Sequence, residues 1–192
     1  LSRMKNEAKS VAELIAKDKS IINAFLTKNF SGQEKASYDL MVGKSMDFLT
    51  TADNQGNVVL RAHSVTAVGD SIKGEQAGGE AMIGNSFVTL EDTQTEGLSI
   101  RGSAPIYDAE GKFLGVIITG FIIDNAFVDS IKKSTGVDLS VYKGDTLQAT
   151  TILGEDGKSR NIGTKITDGS VRSRVLEQDK ELVLENKISS RP

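Results

Sequence analysis

The side chains of this chain best suited to holding a small ligand are Arg61, His63, Arg101 and Ser103. Residues two apart in a strand project to one face of a sheet. Arg61 and His63, near the end of one β-rich run, therefore share a side, and so do Arg101 and Ser103 in another. If those faces meet, two guanidiniums, an imidazole and a hydroxyl line one cavity. Such a cavity suits a carboxylate, because a guanidinium presents a planar fork that matches two carboxylate oxygens and an imidazole adds a further donor. The competing arrangement keeps these groups for the protein itself, with Arg61 solvated, His63 satisfied at a strand end and Arg101 paired with a nearby acid such as Glu96.

Other chemistries find little to work with. The chain has one histidine, His63, and no cysteine, which removes Cys-His catalysis, thiolate zinc sites and disulfides. No serine stands in a G-x-S-x-G nucleophile elbow. The glycine-bearing stretch 74–84 fits neither phosphate-loop pattern, and the turn acids Asp53, Asp108 and Asp156 do not form a calcium-loop ladder. The chain is expected not to be an enzyme and to need no cofactor or metal.

The elements that must position the four residues follow from periodicity. Arg101 and Ser103 lie in residues 98–121, two strand-like runs around the turn Asp108-Ala109-Glu110-Gly111-Lys112, which reads as a β-hairpin. Arg61 and His63 close a hairpin formed by residues 47–52 and 58–63 around Asp53-Asn54-Gln55-Gly56-Asn57. Before it, apolar residues recur at three and four positions from Met4 to Leu26, predicting an amphipathic helix over 3–30 that bends or restarts at Asp18 or Ser20; a second helix is expected over 33–42. Residues 64–85 are irregular and rich in glycine, with one short helix near 79–83, and long irregular stretches in compact domains are usually functional loops. A strand at 86–90, a helix over 124–133, a third hairpin over 137–152, a short helix near 170–178 and a last strand at 181–188 complete the reading. Antiparallel hairpins with helices segregated at the ends give an α+β fold, with helices covering a central antiparallel sheet.

At 192 residues the chain can bury one good core with something appended, and its formal charge of -3 argues against a nucleic-acid partner. No run of about 18 apolar residues is present. The chain starts without Met in a helical pattern and stops just after a strand-like run, so it is expected to be a piece of a longer protein, through processing or otherwise.

Four segments together resemble the Cache family of PAS-like extracytoplasmic sensor domains. They are residues 53–63, DNQGNVVLRAH; Val68-Gly69-Asp70; residues 98–106, LSIRGSAPI; and residues 115–120, GVIITG. The resemblance is to the single-Cache type related to the citrate-sensor kinases, which carry a similar strand ending in His and a similar S-x-R-G-x-x-P-I strand. Ala149-Thr150-Thr151-Ile152 with Gly163-Thr164 looks like the methyl-accepting chemotaxis receptors of the group. It implies a PAS-like sheet, a long N-terminal helix rising from a membrane segment, and a pocket between the sheet and the loop and helix before Ser86. His63 and Arg101 match positions that contact the ligand carboxylate in the citrate-type sensors; Arg61, Ser103, Thr119 and the backbone after Gly84 join them as candidates.

Two departures from the citrate pattern, Ser103 in place of a basic residue and Arg61 one position late, favour a small organic acid such as acetate or pyruvate. The implied organisation is a helical stalk at 1–46, a ligand-binding domain at 47–164 and an extension at 165–192 that starts a second unit or returns to the membrane. The partners implied are the small acid, a second copy through the N-terminal helix, and a membrane attachment outside these residues. The alternatives are a sensor for an amino acid or for a di- or tricarboxylate, the sensory domain of a histidine kinase, and an interaction module without a small ligand.

Overall fold

A computed structural model describes residues 1–180 and Leu182. The helix expected over 3–30 is two helices, α1 (Ser2–Ile15) and α2 (Lys19–Thr27). The break falls where charge interrupts the apolar stripe. Asp18 is extended, and its Oδ1 accepts hydrogen bonds from the Ser20 amide at 2.8 Å and the Ile21 amide at 3.4 Å, so it serves as the N-cap that restarts the helix. After one 3₁₀ turn, α3 (Glu34–Gly43) leads to the first strand.

Five strands follow: β1 (Phe48–Asp53), β2 (Val58–Arg61), β3 (Phe87–Thr93), β4 (Gly97–Tyr107) and β5 (Phe113–Ile122). They form one antiparallel sheet in the order β2-β1-β5-β4-β3. The chain thus has the expected α+β, PAS-like architecture. β4 and β5 are the expected central hairpin, and β5 pairs on its other side with β1, which brings the Arg61 hairpin beside the Arg101 hairpin, with β5 between β1 and the Arg101 strand.

The pleat decides which residues meet. β4 directs Ile100, Gly102 and Ala104 to one face and Arg101 and Ser103 to the other. Helix α1 lies on the first face so closely that a Cβ on Gly102 would come within 2.3 Å of the Ala8 carbonyl. The second face carries α4 (Gln76–Met82) over a core of Phe48, Ala52, Val58, Ile72, Ala77, Ala81, Val116 and Ile118. Gly78 lets α4 fold back on its own lead-in loop, since a Cβ there would sit 2.6 Å from the Ile72 carbonyl oxygen. The irregular stretch thus carries the short helix expected near 79–83, which starts earlier, at Gln76, and packs on the sheet.

Contacts divide the chain into two units, Leu1–Ile123 and Asp124–Pro192. The boundary falls inside the span 47–164 expected as one domain, and the N-terminal helices belong with the sheet. The second unit begins with α5 (Asn125–Thr135), capped by Asp124, whose Oδ1 accepts from the Phe127 amide at 2.9 Å. β6 (Ser140–Lys143) and β7 (Thr146–Thr150) pair as the expected third hairpin. Arg160 ties this unit together, forking onto Asp129 at 2.9 Å through each Nη and donating to the Thr150 carbonyl at 2.8 Å. A short helix, α6 (Gly169–Val171), runs into a wider π-type turn at residues 172–177, and the strand expected at 181–188 lies, Leu182 apart, outside the described residues. No helix among the described residues is long and apolar enough to cross a membrane.

Candidate functional site

The face under α4 gathers Arg61, His63 and Arg101 around one carboxylate, Glu96. Arg101 stands at the middle of β4, across from Thr89 on one side and Gly120 on the other. Its side chain is 1% exposed. Nη1 donates to Glu96 Oε2 at 2.8 Å and to Thr93 Oγ1 at 3.3 Å, Nη2 donates to Glu75 Oε2 at 2.7 Å, and Nε lies 3.7 Å from Glu91 Oε2. The guanidinium carbon is 5.1 Å from the centroid of the Phe48 ring, close enough for a cation–π contact.

Arg61, at the end of β2, is as deeply buried and forks onto Asp70, Nη1 to Oδ1 at 2.7 Å and Nη2 to Oδ2 at 2.8 Å. Nη1 also donates to the Ala67 carbonyl at 2.5 Å, and Nε lies 3.5 Å from Glu96 Oε1. His63 follows two residues later. Its Nδ1 accepts from the Leu49 amide at 3.4 Å, which puts the ring proton on Nε2, and Nε2–H donates to Glu96 Oε1 at 3.2 Å. The Thr93 hydroxyl, at 3.0 Å, and the Thr95 hydroxyl donate to Glu96 Oε2.

The electrostatics follow from this crowding. Burial works against the charge of Glu96, but hydrogen bonds from His63, Thr95 and Arg101, with the Arg101 charge, hold its carboxyl well below the usual range. Asp70 is lowered chiefly by its hydrogen bonds from Arg61. Glu75 goes the other way: burial, reinforced by the charges of Glu96 and Glu91, raises it despite Arg101. Four carboxylates, Asp70, Glu75, Glu91 and Glu96, thus face two guanidiniums and one imidazole.

The sequence-predicted residues divide accordingly. Arg61, His63 and Arg101 converge as expected, and the pairing of Arg101 with Glu96, set out as the competing arrangement, is also present. Arg61 is buried and ion-paired, not solvated. Ser103 shares the face of Arg101, but its hydroxyl donates to the Ala77 carbonyl at 2.7 Å and ties α4 to the sheet. Thr119 pairs with Gly102, so the pleat directs it to the α1 face, away from Arg101, where its hydroxyl donates to the Phe48 carbonyl at 2.5 Å. The backbone after Gly84 closes α4, with the Asn85 amide donating to the Glu80 carbonyl at 3.0 Å. Sequence reasoning missed Glu75 and Glu91. Period two was a usable signal for Glu91, which shares a face with Thr89, the partner of Arg101 across the β3–β4 ladder. No such pattern marks Glu75, which only the folding of the loop onto the sheet brings to Arg101. A separate cleft of about 550 Å³ lies on the α1 face, lined by Glu13, Lys17, Ala104 and Tyr107 among others.

Comparisons with known proteins bear on this arrangement. The structure is similar to the Escherichia coli DcuS sensor domain, at 20% identity over 71% of this chain and 97% of that one, with a TM-score of 0.55. It is similar to the sensor domain of the Vibrio cholerae histidine kinase DctB, at 14% identity over 77% of this chain and 59% of that one, with a TM-score of 0.57. It is also similar to the ligand-binding domain of the Campylobacter jejuni chemoreceptor Tlp3, solved in complex with L-valine, at 19% identity over 78% of this chain and 63% of that one, with a TM-score of 0.52. The chain therefore spans less than two thirds of the DctB and Tlp3 domains, and at these identities the likeness is one of fold. A search of the curated proteins gives no match. The sequence matches a family described as the double sensory domain of two-component sensor kinases over residues 2–187, a double arrangement where the resemblance was to the single type. With that match across nearly its whole length and the fold of solved Cache sensors, the chain belongs to the dCache_3 family of extracytoplasmic, Cache-type sensory domains.

Proposed function

We propose that the unit Leu1–Ile123 senses a small carboxylate-bearing ligand, of the acetate or pyruvate class, with Arg101 as the anion anchor, and passes its occupancy to a membrane helix of a longer receptor. The observation that carries this is the position of Arg101: a buried guanidinium at the centre of the sheet, beneath the loop and helix that close over it. His63 and Arg61 hold Glu96 from the other side and keep the arginine oriented. Ser103 and Thr119, engaged with main-chain carbonyls, are positioning residues in this reading. The second unit, from Asp124 onward, is the opening of a further module, and a second copy docks along the N-terminal helices, where Leu14 and Leu26 are exposed. The domain acts by binding and needs no catalytic group.

A second reading, an α-amino acid ligand, is favoured by the surplus of carboxylates. Glu75 and Glu91 flank Arg101 and could receive an ammonium group while the guanidinium takes the carboxylate. The complex of Tlp3 with L-valine is in keeping with it. Differential scanning fluorimetry against acetate, pyruvate, succinate, L-valine and glucose separates the readings. Stabilisation by monocarboxylates, weakened in Arg101→Lys, is the expected result; response to L-valine alone favours the amino acid, and response to none of the carboxylate-bearing compounds overturns both.

A further inference from the structure

Arg101 is the proposed anchor, yet its forward nitrogen is already taken. Of the three carboxylates around it, Glu96 is 1% exposed and shared with His63, Thr93 and Thr95. Glu91 is committed elsewhere, accepting the Gln76 amide at 2.5 Å and the Ala77 amide at 3.2 Å at the start of α4. Glu75 differs from both. Among the described residues Arg101 Nη2 is the one hydrogen-bond partner of its side chain, at 2.7 Å, and, unlike Glu96, it keeps 15% of its surface toward solvent, as Glu91 does. It is the residue before α4, at the end of a loop bearing Gly69 and Gly74.

We infer that Glu75 is an intramolecular occupant of the anion subsite: its carboxylate holds Arg101 Nη2 in the place where a ligand carboxylate binds, and the ligand acts by displacing it. The inference rests on Arg101 being the anion anchor. Exchange of one carboxylate for another keeps the charge around Arg101 constant, so the buried guanidinium never loses its counter-ion. Displacement also frees the residue that leads into α4. A ligand binding at Arg101 thereby releases the start of the helix that covers the site, which supplies the difference between two states that any sensor requires. A tethered competitor weakens an external ligand by the fraction of time it leaves the site vacant; a site vacant about one tenth of the time loses about tenfold in apparent affinity.

The test uses sodium acetate as probe, at constant ionic strength, on the wild-type chain and on Glu75→Ala, which removes the tethered carboxylate and leaves room for a free one. The readout is the ¹H–¹⁵N signal of the Arg101 Nε–H, which localises binding without a destabilising change at the arginine. Acetate is expected to shift that signal in Glu75→Ala at about one tenth of the concentration that the wild type needs. Equal midpoints in the two proteins overturn the inference while leaving Arg101 as anchor. An Arg101 signal that acetate moves in neither protein overturns the inference and the carboxylate reading together. In the wild type, amide exchange at Gln76 and Ala77 should rise with saturation; unchanged exchange in the presence of bound acetate also overturns the displacement.

Discussion

Replacing Arg101 with methionine puts the electrostatic account under the greatest strain. The guanidinium lies within 2.8 Å of Glu96, 2.7 Å of Glu75 and 3.7 Å of Glu91. Arg61 cannot take its place, because it is forked onto Asp70 and reaches Glu96 only at 3.5 Å. The variant therefore leaves Glu75 and Glu91 under α4 without their cation and Glu96 with only the longer Arg61 contact and the His63 hydrogen bond, and methionine fills the volume without a donor. Removing one partner of a buried ion pair costs about 3–5 kcal/mol, a large part of the 5–15 kcal/mol that holds a typical domain folded.

The reverse deletion is far gentler. Burial and its acidic neighbours already disfavour the ionised form of Glu75, and glutamine keeps an oxygen for Nη2, so Glu75→Gln should lie within about 1 kcal/mol of the wild type. Urea unfolding followed by circular dichroism measures both; with a slope of about 1–3 kcal/mol/M, the arginine variant should move the midpoint by at least about 1 M and the glutamine variant by much less. Equal costs for the two variants, or a cost below about 1 kcal/mol for Arg101→Met, would refute the claim that Arg101 is the main counter-ion of this acidic cluster.

Acid should weaken the fold. Glu96 and Asp70 titrate below their ordinary values of 4.5 and 3.8, so the stability they add is complete above those values and is lost progressively as pH falls below them toward the lowered folded-state values. Glu75, which is raised, contributes with the opposite sign, so the loss of urea midpoint from pH 7 to pH 4 should be larger in Glu75→Gln than in the wild type; a smaller loss contradicts the assignment. Gly102→Ala should lower stability by about 1–3 kcal/mol, since its Cβ would meet the Ala8 backbone at 2.3 Å, and an unchanged melting temperature would mean that α1 does not press on β4. Asp18→Ala should cost about 1 kcal/mol through loss of the α2 cap, seen as a lower urea midpoint.

The sequence by itself determined the elements and the sheet's central hairpin. The strand-like runs over residues 98–121, the turn clusters at 53–57 and 108–112, and the cap Asp18 act within a few residues of where they stand, so they are legible one segment at a time. Period two also placed Arg101 with Ser103 and Arg61 with His63, and pairing of β5 with β1 then brought the two arginine-bearing hairpins together on one face. The same alternation, set against the register between β4 and β5, puts Thr119 on the α1 face with its partner Gly102, away from Arg101.

Only the tertiary structure decided what the cations meet. Glu75 is 26 residues from Arg101 along the chain and comes from a glycine-bearing loop without periodicity, so nothing local ties it to β4. Glu96 was visible as a neighbour of Arg101, but its second allegiance, to Arg61 and His63 from a distant hairpin, depends on strand order in the sheet. A charge in a strand records only that something must neutralise it; whether that is water, a ligand or the protein's own acid is settled by which groups folding buries beside it.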